Sequence, residues 1–365
     1  MGLRQTDHDL FTESQSLPTA AIFDADDVVL VTGAGGFLGG KVVESLLSAG
    51  FRRVRCFVRP TSAVGRLRTL SESFPEADLE LSVGTLLDRV DCVRAVADAR
   101  AVINCAAGMR GSLHNMFVDS VLASRNLLDA VVASEQVLRV VHVSSFAVYR
   151  SASLRRGETV TEETALETRH DLRNDSYSFT KHKQESLFWI YSEQYGLPLV
   201  VVRPGVVFGP GGTEISTRVG VRLLGTFLEV GGNNPIPLTY VGNCAEAIVL
   251  AATKPGIDGN VFNIHDDCLP TCREFFNRYR KSKGRMRYVR VPYPVMRLLS
   301  FAIQRYSEHS AGQIPPALTP YKAASLWNRT NFSNSKAKKL LGWSPRVPME
   351  EALKLHFDAI GPGYY

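Results

Sequence analysis

Six short apolar runs recur along the first two hundred residues: Val28–Thr32, Val54–Val58, Leu79–Val83, Ala101–Asn104, Leu138–Val143 and Leu199–Val202. Between most of them lie segments of helical pattern, among them Phe37–Ala49, Leu113–Ser134 and the long Ser176–Tyr195. Strands that alternate with helices predict a parallel sheet. Near-continuous apolar strands such as Val28–Val31 suit a sheet covered on both faces. Beyond Pro204 the alternation loosens into glycine turns at Gly209–Gly212 and Gly231–Gly232. A short strand at Leu238–Val241 and a helix at Ala245–Ala252 are expected to return to the first domain. The reading is an α/β chain with a doubly wound parallel sheet over 26–203 and 238–255. A smaller C-terminal lobe takes 204–237 and 256–365, and residues 1–25 are a flexible tail.

The first strand runs into Thr32-Gly33-Ala34-Gly35-Gly36-Phe37-Leu38-Gly39 and then an amphipathic helix. That is the context a phosphate-binding glycine turn requires. Gly33 permits the tight turn, Gly36 lets the backbone approach a pyrophosphate, and Gly39 lets the helix pack on the strand. The helix N-terminus then offers free N–H groups and a positive dipole end to phosphates. Downstream stands Tyr177-Ser-Phe-Thr-Lys181. Positions i and i+4 share a helix face, so the two side chains enter one cleft. A tyrosine titrates near ~10, and an adjacent ammonium is expected to lower that value. Such a tyrosine exchanges a proton with an alcohol or carbonyl while hydride moves to or from nicotinamide. Ser145 follows another strand, in Val141-His-Val-Ser-Ser145-Phe-Ala-Val-Tyr149. A serine there can hydrogen-bond the substrate oxygen, because ligands of open α/β sheets bind at the carboxyl ends of the strands.

Composition narrows the reading without changing it. The apolar fraction of 45% is ample for a large core, and the net charge of +6 is only mildly basic. The basic stretch Arg278–Arg290 lacks the interleaved aromatics of a single-strand platform and reads as a solvated face. No nucleic-acid partner is expected. Six scattered cysteines form no zinc-ligand spacing, so no metal is expected. Residues 1–25 lack a basic region followed by an apolar run, and no run of about 18 apolar residues spans a membrane. A cytoplasmic setting is expected.

The motifs together resemble the extended short-chain dehydrogenases/reductases, the superfamily of the NAD-dependent epimerase/dehydratase and 3β-hydroxysteroid dehydrogenase groups. The likeness runs from about Asp27 to Leu355. Besides the glycine turn and Tyr177-x-x-x-Lys181, it rests on Asn104-Cys-Ala-Ala107, Ser144-Ser145 and Arg203-Pro-Gly-Val-Val-Phe-Gly-Pro210. Further on it includes Tyr240-Val-Gly-Asn-Cys-Ala-Glu-Ala247 and Ser335-Lys-Ala-Lys-Lys-Leu-Leu-Gly-Trp-Ser-Pro345. The resemblance implies a Rossmann-type NAD(P)-binding domain with Ser145, Tyr177 and Lys181 as the catalytic set, Lys181 also holding the nicotinamide ribose. It implies cofactor contacts from Gly33, Gly35, Gly36, Phe37, Leu38, Gly39, Arg59, Thr85, Leu86, Ala106, Ala107, Pro204 and Val206. It also implies a homodimer through Leu113–Ser134 and Ser176–Tyr195. Two positions depart from the family. Gly84-Thr85-Leu86 stands where an aspartate is usual, leaving adenine to Thr85, Leu86 or the backbone. Ser120 stands for an asparagine that supports a water chain to the lysine.

Arg59 ends the second strand where an NAD site wants a carboxylate. It can pair with a 2′-phosphate or stand as a solvated arginine. NADP is the preferred cofactor and NAD the alternative. The pocket is expected to include Met109, Arg110, Phe146 and Tyr240. Arg110 reads either as a holder of carboxylate or phosphate or as a surface ion pair. The hydrophobic Val291–Gln304 reads either as a packing helix or as a lipid-facing one. The expected activity is interconversion of a ketone and a secondary alcohol on a bulky, largely apolar small molecule. The alternatives are a sugar-nucleotide epimerase/dehydratase with retained NAD, and a non-catalytic dinucleotide-binding protein.

Overall fold

In the computed structural model the described residues are 21–109, 111–223, 225–310 and 318–361. Seven parallel strands form the central sheet: β1 (Val28–Thr32), β2 (Arg53–Val58), β3 (Asp78–Val83), β4 (Ala99–Asn104), β5 (Arg139–Val143), β6 (Leu199–Pro204) and β7 (Val261–Ile264). Their spatial order is β7-β6-β5-β4-β1-β2-β3. Chain order reverses between β1 and β4, which opens the crevice where doubly wound sheets bind ligands.

The helices in chain order are α1 (Phe37–Ser48), α2 (Gly65–Ser73), α3 (Arg89–Val96), α4 (Leu113–Phe117), α5 (Ala123–Ser134), α6 (His170–Arg173), α7 (Ser176–Tyr195) and α8 (Val241–Thr253), followed by α9 (Cys272–Lys283), α10 (Tyr293–His309), α11 (Pro320–Trp327) and α12 (Met349–Ile360). Because strand side chains alternate, β1 feeds two cores. Val29 and Val31 pack with α1, α2 and α8, while Val28 and Leu30 pack with α3, α5 and α7. α9 to α12 belong to the lobe, with a small sheet of Gly220–Leu223, Thr226–Glu229 and Tyr288–Arg290. Among the described residues no helix is long and apolar enough to cross a membrane. All six cysteines are free thiols.

Three expectations need correction. Residues 21–25 are not a tail: the Ile22 N–H donates to Thr253 O at 3.0 Å, and Phe23 is buried against Phe51. Residues 1–20 lie outside the described residues. The short strand Leu238–Tyr240 joins not the main sheet but Val206–Phe208, whereas α8 does return beneath the sheet. The stretch 256–365, expected wholly in the lobe, sends β7 back to pair with β6, because Val261–Ile264 finds its partners only across the sheet edge. The expected Leu113–Ser134 helix runs unbroken, with a wide π turn at Val118–Leu122 inside it, the kind of bulge that concentrates at functional sites.

One buried network fastens α7 to the sheet. Arg203 on β6 forms a two-pronged pair with Glu185 of α7, and its Nη1 donates to Tyr149 Oη at 2.9 Å. The Tyr149 hydroxyl donates to Asn263 of β7 at 2.6 Å, and the Ser144 hydroxyl donates to Glu185. Burial raises the Glu185 carboxyl, but Arg203 and Ser144 outweigh it and hold it below its ordinary value. Removing one partner of such a pair strands a buried charge. Arg203→Met is therefore expected to lower unfolding stability in urea by about 3–5 kcal/mol, part of which the double change with Glu185→Leu recovers. A loss below about 1 kcal/mol, the range of exposed pairs, would contradict the buried network.

Candidate active site

The glycine turn has the shape that a diphosphate needs. Gly33 adopts φ +69°, and the Gly36 N–H donates back to its carbonyl at 2.9 Å. A Cβ on Gly39 would fall 2.2 Å from Gly33 O, so the start of α1 lies against the turn at a distance that only glycine allows. α1 has no capping side chain and no acid in its first turn. Its leading N–H groups, Phe37 and Leu38 among them, have no partner within the helix and face the turn. This undercapped positive end fits an anionic group. Gly35 lies against Ser62 in the loop after β2.

The other expected cofactor residues gather along the same edge, with two differences. Arg59 at the end of β2 is exposed, and its Nη1 stands 3.9 Å from Asp119, an acid that the β2 sequence does not announce. Leu86 turns its side chain into the core, which leaves the expected contact to the half-buried Thr85. The space beside Gly84 is filled by the Asp91 carboxylate of α3, which accepts from Thr85 N at 2.9 Å. Ala106 and Ala107 are partly exposed after β4, and Val206 follows the buried Pro204 at the end of β6.

α7 carries the expected catalytic pair. Asp175 caps it by accepting from the N–H groups of Tyr177 (3.1 Å) and Ser178 (3.3 Å), and Gly196 ends it at φ +66°. Ser145 follows β5, accepts from Ala147 N at 3.1 Å, and its hydroxyl acts on the Tyr177 phenol. Serine and tyrosine are thus brought together. Burial raises the Tyr177 phenol above its ordinary value, Asp175 adds to the rise, and the Ser145 hydroxyl opposes it. The expected lowering by Lys181 is absent from this arrangement. The ammonium instead donates to Val143 O and Gln184 Oε1, each at 2.7 Å. Burial lowers Lys181 to about 8, opposed by Glu185.

Among the expected pocket residues, Met109 is exposed at the cleft edge, and Arg110 lies outside the described residues. Two others are corrected. Tyr240 is fully enclosed, with its ring 6.0 Å from that of Phe208. Phe146 is buried against Tyr149 and Phe332. Both stand beside motifs, and both serve the core. The sequence reading missed Gln184, Ser124 and the way Ser120 faces the site, because nothing local marks these helical polar residues as buried.

Residues 29–264 match the NAD dependent epimerase/dehydratase family. The sterol-4-alpha-carboxylate 3-dehydrogenase, decarboxylating, of Candida albicans is 26% identical over 351 residues, covering 90% of this chain and 96% of that one. Among solved structures, gox2253 superposes with a TM-score of 0.72 at 22% identity, covering 92% of this chain and 98% of the other. The UDP-glucuronic acid 4-epimerase of Bacillus cereus in complex with NAD gives 0.67 at 22% identity, covering 91% and 98%. At these identities the two structures speak for the fold alone. The chain belongs to the NAD dependent epimerase/dehydratase family and is an enzyme of the extended short-chain dehydrogenase/reductase type.

Proposed function

We propose that the protein transfers hydride between NADP and a bulky, largely apolar alcohol or ketone, with Ser145, Tyr177 and Lys181 as its catalytic set. The observation that carries this reading is the convergence of three groups on one crevice: Ser145 acting on the Tyr177 phenol, the buried Lys181 one helical turn on, and the undercapped start of α1. The nicotinamide cofactor supplies or accepts the hydride when bound. Ser145 holds the substrate oxygen by a hydrogen bond. Tyr177, whose phenol stays protonated at neutral pH in this arrangement, gives its proton to that oxygen in reduction and takes it back in oxidation. Lys181 would hold the ribose and keep a positive charge next to the tyrosine.

The likeness to a sterol-4-alpha-carboxylate dehydrogenase extends over nine-tenths of the chain, so a 3β-hydroxysterol 4-carboxylate is the first substrate to offer. Oxidation with net formation of reduced cofactor is the expected result. Conversion of a UDP-sugar without net change in the cofactor would overturn the reading in favour of an epimerase. Tyr177→Phe should lower turnover at least 10²-fold, the scale of general acid–base catalysis, while leaving cofactor affinity within about twofold, a change small on the scale of one tenfold step. Turnover that survives this change would refute the role given to Tyr177.

NADP is preferred over NAD because Arg59 is exposed at the end of β2, and its pairing with Asp119 is long and solvated, hence weak. Fluorescence titration should find NADPH bound more tightly than NADH, and Arg59→Asp should reverse that order. An unchanged ratio would remove Arg59 from cofactor choice.

The cytoplasm is the proposed compartment, consistent with the free thiols. The proposed assembly is a homodimer through α4–α5 and α7. Leu113 and Leu122 on the first stretch and Ile190 and Tyr195 on α7 are exposed hydrophobic residues. Light scattering should give twice the chain mass, and Ile190→Glu with Leu122→Glu should halve it. A wild-type monomer would exclude this assembly.

A further inference from the structure

Gln184 lies one turn beyond Lys181 on α7 and is completely buried. Its Nε2 has three acceptors: Ser124 Oγ at 2.9 Å, Ala106 O at 3.0 Å and Ser120 O at 3.4 Å. Two of these are backbone carbonyls, which can only accept. The amide must therefore turn its N–H₂ group toward α5 and the loop after β4, and its oxygen toward Lys181. The Ser120 hydroxyl completes the arrangement by accepting from Gly108 N at 2.9 Å. Ser120 sits in the π turn, and Ala106 is among the expected cofactor contacts. One amide thus joins the lysine to the loop that borders the cofactor crevice.

The other titratable groups around Lys181 are committed elsewhere. On α7, Glu185 is engaged by Arg203 and Ser144, and the Tyr177 hydroxyl meets Ser145. Cys105, after β4, is pushed up to about 12 by burial and stays a neutral thiol. His142 on β5 is held well below its ordinary value by burial, with Lys181 and Arg203 adding to the effect, and stays uncharged. The ammonium is therefore held directly by two neutral acceptors, the Val143 carbonyl and the Gln184 amide oxygen.

We propose that Gln184 is a positioning residue of this site: its amide fixes the Lys181 ammonium between the end of β5 and the loop after β4, and keeps it protonated. The inference rests on the catalytic role proposed for Lys181, but its central measurement does not need turnover. A hydrogen bond to a charged group favours the charged form. Its loss from a buried site moves the titration by about one to two pH units.

The test follows the proton on Lys181 in the full chain labelled with [6-13C]lysine, using ¹H–¹³C spectra across pH 5.5–10.5. The Lys181 signal is identified by its absence in Lys181→Met. The wild-type midpoint is expected near 8. Gln184→Leu should lower it by about one unit or more, and Gln184→Glu, which places a carboxylate beside the ammonium, should raise it. A role limited to packing would not move the two variants in opposite directions. Unchanged midpoints in both would overturn the inference. Should Gln184→Leu fail to fold, Gln184→Glu decides alone, and a midpoint that does not rise overturns it. NADPH and NADH titrations of the wild type separate the two levels. A protein that binds neither would refute the oxidoreductase reading, whereas normal binding with unmoved midpoints would refute only the part given to Gln184.

Discussion

The site depends on holding a positive charge out of water. An ammonium enclosed by protein is costly unless it finds acceptors, and burial, opposed by Glu185, brings Lys181 down to about 8. The surroundings of α7 answer that constraint. Val143 and Gln184 accept from the ammonium, and Gln184 is itself held by three partners on two other elements. One turn further on, Glu185 locks to Arg203 and draws in Ser144, Tyr149 and Asn263. A shift in α7 would break both sets at once. The helix that carries the chemistry is therefore anchored by polar contacts, and its two ends are set by Asp175 and Gly196.

A second constraint brings the cofactor side to the same place. β1 and β4 lie at the point where strand order reverses, so the loops after them diverge and leave a crevice. Gly33 and Gly39 let α1 begin directly against the turn after β1, which points its positive end along that crevice. Ser145 leaves β5, the strand next to β4. Tyr177 reaches Ser145 because the start of α7 lies over the end of β5. The glycine turn and the proposed proton-transfer groups thus share one edge of the sheet, as a reaction between a dinucleotide and a small molecule requires.

The interactions close in sequence were legible beforehand. Tyr177 and Lys181 are one helical turn apart, the glycine spacing is a local backbone matter, and the runs of β1, β2, β5 and β6 are apolar because both faces are covered. α7 was readable to the residue, since a capping aspartate and a closing glycine flank it. Misjudged positions were those whose partners are distant in the chain. Phe146 and Tyr240 stand beside catalytic motifs and look like pocket walls, yet their rings find Phe332 and Phe208 and become core. β7 is a four-residue strand that acquires its identity only by pairing with β6.

From sequence alone came the sheet-and-helix class, the phosphate turn and the serine, tyrosine and lysine of the proposed chemistry, because spacing along a strand or helix dictates which side chains share a face. Only the tertiary structure decided how those groups are electrostatically set. The Tyr177 phenol lies above its ordinary value, not below it, because burial and Asp175 outweigh the Ser145 hydroxyl. Lys181 faces Gln184 because two carbonyls, some 80 and 60 residues away in the chain, fix the amide's orientation. Asp91 fills the space beside Gly84 from a neighbouring helix. Solvent exclusion and hydrogen-bond direction arise from the meeting of segments, and no local pattern encodes them.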